Sequence, residues 1–130
     1  MSSIAWSEII GWDGESLGDL RCLGYAYLKQ GKYDLAQSFF EALIICSNEV
    51  YDLQTLGAIY LERGKNLQAL SLIETALKID PEHAVTLVNR TKALFVLGYR
   101  RQAIAQAKEL LNHSDAVIAN QASALLLAYT

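Results

Sequence analysis

The sequence predicts an all-α protein of three helix pairs followed by one closing helix. Two observations lead to this fold class: four residue columns recur every 33 or 34 residues, and apolar residues between them fall at helical steps of three and four. The columns are Leu20, Leu53 and Leu87; Gly31, Gly64 and Gly98; Ala36, Ala69 and Ala103; and Tyr27, Tyr60 and the substituted Leu94. Helix pairs that repeat in this way stack on their neighbours into a solenoid with a continuous core.

The first element is a short N-terminal segment, residues 1–15, which precedes the repeats. We expect one repeat domain after it, over residues 16–130. The apolar side chains of the segment form a cluster near two glycines, which favours at most a short helix. They are Trp6, Ile9, Ile10 and Trp12. Two interpretations stay open: the segment folds back over the first pair or the closing helix, or it makes a dimer or partner contact.

Each repeat is predicted to contain two helices. Ser16 followed three residues later by Asp19 approximates a capping box and indicates the start of the first helix. The recurring glycine then ends each first helix, since it lies just past the last apolar turn, where a left-handed residue is common. The recurring alanine lies in each second helix, where its small side chain lets the two helices approach closely.

The period also sets the boundaries, and we expect repeats at about residues 17–49, 50–83 and 84–117. Asp80 followed by Pro81 predicts a capped helix start with proline in the first turn, which would open the third repeat.

The closing helix is expected at about residues 115–128, opened by Ser114 and Asp115, where a solenoid normally places a capping helix. It is apolar nearly all round, including Leu125 and Leu126, although a terminal cap needs a polar outer face to be soluble alone. We therefore expect a further terminal interface here.

Composition and charge exclude several classes of function. The formal net charge is -3, and no cluster of Lys and Arg provides the positive surface that nucleic acids require. No apolar run approaches the roughly 20 residues of a transmembrane helix, and the N-terminus lacks the pattern of a signal peptide. We expect a cytoplasmic protein that binds neither nucleic acid nor membrane.

Residues suited to catalysis or metal binding are sparse. Cys22 and Cys46 form no CxxC pair, and the two histidines, His83 and His113, lie at no metal-ligand spacing. The sequence contains no pattern of nucleophile and base, paired carboxylates or phosphate-binding loop. We therefore expect reduced cysteines, no enzyme activity, no cofactor and no metal.

The repeats carry a family resemblance. The first has Leu20, Leu23, Gly24, Tyr27, Gly31, Tyr33, Ala36 and Phe40, and the second has Leu53, Leu56, Gly57, Tyr60, Gly64, Ala69, Ala76 and Pro81. This pattern resembles the tetratricopeptide repeat (TPR) signature over residues 17–117, which implies a right-handed α-solenoid of three helix pairs plus a C-terminal capping helix. The third repeat has Arg90 and Thr91 where Leu and Gly are expected, so we expect its first helix to pack differently.

The resemblance also implies a concave groove lined by the first helix of each pair, which in the family receives peptides. The lining residues implied by register are Arg21, Tyr25, Leu28, Tyr51, Gln54, Thr55, Ala58, Leu61, Val85, Val88, Asn89, Lys92 and Phe95. Each could instead pack against a neighbouring helix. As a set they form an apolar surface with a few polar groups, which is typical of a site for a protein or peptide client.

The carboxylate clamp of the family, which holds the Glu-Glu-Val-Asp terminus of large chaperones, is not expected here. Only Arg21 fits its pattern. Tyr25, Thr55, Val85 and Asn89 occupy the other four positions, where Asn, Asn, Lys and Arg would be required. One cation cannot neutralise and desolvate two carboxylates.

A three-repeat chain of this size looks most like the small chaperones of bacterial type III secretion. Residues 27–36 and the apolar residues that follow are similar to the first repeat of the SycD/LcrH class, which guards translocator subunits, and the related needle-subunit chaperones share the same build. The resemblance implies a chaperone that covers a secreted or self-assembling client, with a homodimer or a small co-chaperone as a further expectation. The alternative is a generic TPR scaffold that joins two protein partners.

Overall fold

The structure is a computed structural model that describes residues 14–130. Within this range it contains seven helices and no strand, which confirms the predicted all-α fold class. The helices are α1 (Gly14–Lys29), α2 (Tyr33–Cys46), α3 (Val50–Glu62), α4 (Asn66–Ile79), α5 (Ala84–Leu97), α6 (Arg100–Leu110) and α7 (Ala116–Tyr129). The predicted aromatic cluster of Trp6, Ile9, Ile10 and Trp12 lies outside the described residues.

Glycine turns join the helices of each pair, as the sequence predicts. Gly31, Gly64 and Gly98 have φ angles of 74°, 76° and 91°, a left-handed region that other residues enter only with strain. At each turn the residue after the glycine donates its N–H to the carbonyl of the fourth residue before the glycine, as Lys32 does to Tyr27 at 3.0 Å. This bond satisfies a carbonyl at the helix end and fixes the sharp reversal between paired helices.

The core runs continuously along the stack, because each helix packs on its neighbours in the chain. The repeated alanines, Ala36, Ala69 and Ala103, are fully buried at the contact within each pair. In the first pair the approach is close enough that a Cβ on Gly24 would lie 2.8 Å from Cε2 of Phe40, itself fully buried. Burying a side chain such as Phe40 contributes roughly 1.5–3 kcal/mol to stability.

Two predicted helix starts are wrong. Ser16 lies inside α1, which has already begun at Gly14, so Ser16 and Asp19 do not form a capping box at its start. Asp80 and Pro81 do not open α5, which begins at Ala84. Instead the Asp80 carboxylate accepts the N–H of Glu82 at 3.3 Å, which stabilises the turn between α4 and α5.

The start of α7 is held by a side-chain cap. The Asp115 carboxylate accepts the N–H of Val117 at 2.9 Å, so Asp115, rather than Ser114, is the capping residue.

The third repeat keeps the helix pairing but replaces an apolar contact with polar ones. Thr91 is fully buried and its hydroxyl donates to the Leu87 carbonyl at 2.9 Å. The Arg90 guanidinium donates to Glu74 at 2.7 Å and to Gln106 at 2.9 Å. Side-chain hydrogen bonds therefore join α5 to both α4 and α6, and this is how the third repeat differs in packing.

The closing helix packs against α5 and α6. Leu125 and Leu126, predicted as a terminal interface, are partly buried against a core cluster that includes Leu94 and Phe95. Outward-facing residues of the same helix remain exposed, and Leu127 is 82% exposed. The apolar character of α7 thus serves the core on one side and leaves apolar surface on the other.

Candidate protein-binding groove

The first helices of the three pairs and the closing helix lie side by side. Side-chain hydrogen bonds join α1 to α3, α3 contacts α5, and α5 contacts α7. We call the face formed by these four helices the groove. The thirteen residues predicted to line it lie on α1, α3 and α5, and the structure distinguishes those that are tied or buried from those that are accessible.

An ion pair joins the first two repeats across the groove. Nε and Nη2 of Arg21 donate to the two carboxylate oxygens of Asp52, both at 2.7 Å, and the Asp52 side chain is fully buried. These hydrogen bonds raise the pKa of the Arg21 guanidinium above its ordinary value, so Arg21 stays charged. Because Asp52 already neutralises it, Arg21 is not available to hold a client carboxylate, although it alone fits the clamp pattern.

A second contact between α1 and α3 lies one turn further along. The hydroxyls of Tyr25 and Thr55 are 3.0 Å apart and hydrogen-bonded. The Tyr25 ring also packs edge-on against Phe40, with 5.1 Å between the ring centroids, and Leu28 packs against the same core cluster. Tyr25, Thr55 and Leu28 therefore hold the helices together more than they face a ligand.

Two further predicted lining residues belong to the core. Leu61 is 9% exposed and Phe95 is 8% exposed. The Phe95 ring stacks on Tyr129, with centroids 5.0 Å apart and planes 9° from parallel, and Arg100 donates to the Tyr129 carbonyl at 2.9 Å. The end of α7 thus covers Phe95 and closes this end of the groove.

Gln54 is a buried polar side chain that the fold leaves unsatisfied. It is 9% exposed, yet none of the residues that the structure describes provides a hydrogen-bond partner for its amide. The other polar side chains buried to this degree in the described chain, such as Asp52 and Thr55, are hydrogen-bonded. An unsatisfied buried amide costs about 1–3 kcal/mol, which a bound polar group can recover.

The rim of the groove between the second and third repeats is apolar and exposed. Tyr51 is 61% exposed and Val85 is 46% exposed. The Tyr51 ring stands edge-on to His83 with 5.0 Å between the centroids, and His83 Nδ1 lies 2.6 Å from the Thr86 hydroxyl. Tyr51 is therefore positioned by a neighbouring ring while most of its surface stays accessible.

A surface pocket of about 360 Å³ opens between α5 and α7, and we call it the α5–α7 pocket. It brings together three predicted lining residues, Val88, Asn89 and Lys92, with residues of the closing helix. The residues from α7 are Gln121, Ala124, Leu125 and Ala128. Ala58, the remaining predicted lining residue, is half-buried on α3.

The sequence reasoning missed Gln121, Ala124 and Ala128 as lining residues, although a signal for two of them was present. The register that places Gln54 and Val88 34 residues apart reaches Gln121 after a further 33, and Phe95 is followed by Ala128 at the same interval. The closing helix thus takes the place of a fourth first helix and extends the groove. Treating it only as a cap concealed this.

The described chain offers little for other chemistry. No group of three or more His, Cys, Asp and Glu side chains within residues 14–130 is arranged to hold a metal ion. None of the described helices combines the length and the apolar character needed to cross a membrane.

Comparison with known proteins identifies the repeats and the fold. The sequence profile of the tetratricopeptide repeat matches residues 23–44 and 53–83. No curated protein sequence matches the chain.

Three solved structures illustrate the similarity of fold. The type III secretion translocator chaperone SycD of Yersinia enterocolitica superposes with a TM-score of 0.81 at 19% identity, over 94% of this chain and 96% of SycD. PcrH from Pseudomonas aeruginosa gives 0.77 at 22% identity, over 90% and 93%. The TPR domain of Sgt2 from Aspergillus fumigatus gives 0.73 at 18% identity, over 89% and 80%. SycD has also been solved with a peptide of the translocator YopD.

Proposed function

We propose, on the premise that the chain contains tetratricopeptide repeats, that it is a cytoplasmic chaperone that holds a secreted or self-assembling client subunit in its groove during type III secretion. The observation that carries this proposal is the accessible part of the groove. It combines an apolar rim at Tyr51 and Val85, the unsatisfied amide of Gln54 and the α5–α7 pocket. Preformed clefts that are mostly apolar and carry a few polar groups are typical binding sites.

The groove is supported by contacts that do not depend on a client. The Arg21–Asp52 ion pair and the Tyr25–Thr55 hydrogen bond hold α1 against α3, and the Phe95–Tyr129 stack holds α7 at the other end. A prearranged site loses less conformational freedom on binding. Such a site suits a chaperone that must cover an apolar client segment before the segment can aggregate.

The structural neighbours favour the secretion assignment. SycD and PcrH superpose over at least nine-tenths of both chains, and SycD binds a translocator peptide. A dimeric form of SycD is also known, and the exposed apolar residues of α7, such as Val117 and Leu127, suit a homodimer or a small co-chaperone.

A generic TPR scaffold that joins two protein partners is the second candidate. The similarity to the Sgt2 domain favours it, because that domain has the same fold. A scaffold would use the same groove but would bind folded partners, with no need to cover a client that aggregates when alone.

Co-expression tests the proposal. The chain is tagged, co-expressed with small secreted subunits of a secretion system, and purified, and the eluted mass is measured by light scattering. We expect a stoichiometric complex with an otherwise insoluble subunit. Ala124→Glu, which places a charge in the α5–α7 pocket, should abolish the complex, whereas Ala105→Glu, at an exposed position of α6, should not.

The choice of Ala124 avoids a loss of folding, since this residue is exposed, whereas charged substitutions at Tyr25, Leu61 or Phe95 would disrupt the core. A chain that elutes alone with every subunit, or that binds only folded proteins, would contradict the chaperone assignment. The second of these results would leave the scaffold.

A further inference from the structure

The floor of the α5–α7 pocket is aliphatic. Val88 of α5 and Leu125 of α7 are partly buried, and Ala124 and Ala128 leave the space between them open. An apolar cavity of about 150 Å³ holds a ring of benzene size. A pocket of about 360 Å³ therefore has room for at least one branched aliphatic side chain.

The rim of the pocket carries polar groups whose bonding capacity is unused. Asn89 and Gln121 have no side-chain hydrogen bond to any residue that the structure describes. Lys92 is the one charged residue of the lining, and its ammonium lies 3.9 Å from a Glu62 carboxylate oxygen. Both side chains of that pair are close to half exposed, at 40% and 54%, so the pair is weak.

The two helices around the pocket contain no acidic residue. The sequences of α5 and α7 include Arg90 and Lys92 as their only charged residues, and Arg90 is already paired with Glu74. The positive charge of Lys92 therefore dominates the local field. A ligand with a negative charge beside an apolar group complements this arrangement.

We infer that the α5–α7 pocket is a subsite for a client segment in which a branched aliphatic side chain lies next to an Asp or Glu. The aliphatic side chain occupies the floor, the carboxylate pairs with Lys92, and Asn89 and Gln121 hydrogen-bond the client backbone. This inference rests on the proposed function of the groove and adds a sequence preference to it.

A peptide-display selection tests the preference. A library of random peptides is selected against the wild-type chain, against Lys92→Glu and against Lys108→Glu, which makes the same charge change at an exposed position of α6. We expect the wild type and Lys108→Glu to enrich an acidic residue beside Leu, Ile or Val. The Lys92→Glu variant should lose this enrichment or select a basic residue instead.

Synthetic versions of the selected peptides give the magnitude. Replacing the acidic residue by its amide should weaken binding to the wild type about fivefold, as for a partly exposed charge pair, and should not weaken binding to Lys92→Glu. Ala124→Glu should abolish binding of both peptides. Thermal unfolding of each variant confirms that the fold is kept.

The outcomes separate the two proposals. Peptides that depend on Ala124 but show no acidic preference overturn the subsite inference and leave the proposed groove function standing. A chain that selects no peptide at all overturns both. A concentration-dependent dimer that is lost in Lys92→Glu also overturns the inference, because a second copy of the chain would then occupy the pocket.

Discussion

Removal of the Arg21 guanidinium should destabilise the fold more than any exposed charge does. Arg21→Met keeps most of the side-chain volume but leaves the fully buried carboxylate of Asp52 without its two hydrogen bonds. Breaking one partner of a buried pair costs about 3–5 kcal/mol. Because the Arg21 side chain is 28% exposed, water can reach the site, and we expect the lower end, about 3 kcal/mol.

This loss translates into a measurable shift of the unfolding temperature. For 130 residues, an unfolding entropy of about 2.1 cal/mol/K per residue gives about 0.27 kcal/mol/K, so Arg21→Met should lower Tm by about 11 °C. Far-UV circular dichroism during a thermal scan measures it. Arg101→Met, at an exposed arginine of α6, is the control and should change Tm by no more than about 2 °C.

The double variant Arg21→Met with Asp52→Leu removes both charges, and it should regain most of the lost stability, since replacing a whole buried ion pair by apolar residues is often neutral. If Arg21→Met lowers Tm no more than the Arg101 control does, then the pair does not hold α1 against α3. A double variant as unstable as Arg21→Met would show that the buried charge of Asp52 is not the cause.

Three further predictions concern the core, the contact between the first two repeats and the closing helix. Gly24→Ala should destabilise by about 1–3 kcal/mol by overpacking, because its Cβ would lie 2.8 Å from Phe40, whereas Gly18→Ala in the same helix meets no atom within 4 Å and should stabilise by about 0.5–1 kcal/mol; equal effects in chemical denaturation would refute the close approach. Tyr60→Phe should cost about 1 kcal/mol at neutral pH, since the Tyr60 hydroxyl donates to Glu41 at 3.1 Å. Burial, and then this hydrogen bond, raise the Tyr60 pKa above its usual 10.0, so the folded state holds the proton more tightly and the stability advantage over Tyr60→Phe should shrink as the pH rises above 10; an advantage that grows with pH would contradict this sign. Tyr129→Ala should lose the stack on Phe95, lower stability by about 1–2 kcal/mol and speed amide exchange at the end of α7, and unchanged exchange there would show that the stack does not anchor that helix.

The repeat and its glycine turns could be predicted from the sequence because each rests on a local rule. A left-handed residue at the end of a helix strongly favours glycine, so Gly31, Gly64 and Gly98 mark the turns directly. Helix starts were less certain, because the same residues that cap a helix also form turns. Asp80 illustrates this, since its carboxylate stabilises the turn after α4 instead of opening α5.

The groove could be predicted only in part because register does not reveal side-chain pairing. Arg21 and Tyr25 are placed correctly on α1, but the repeat period cannot show that Asp52 and Thr55 already satisfy them. The burial of Phe95 depends on Tyr129, which lies 34 residues later in a helix treated as a cap. Contacts of this kind emerge only from three-dimensional packing.

Hydrogen exchange on the co-purified complex tests the central claim, that the groove holds the client, most directly. Exchange of backbone amides is measured by mass spectrometry for the chain alone and for its complex with a client subunit. The account predicts added protection in α3, α5 and α7, strongest around the α5–α7 pocket, and little change in α2, α4 and α6. Protection confined to α2, α4 and α6 would contradict the claim, because the client would then lie on the opposite face.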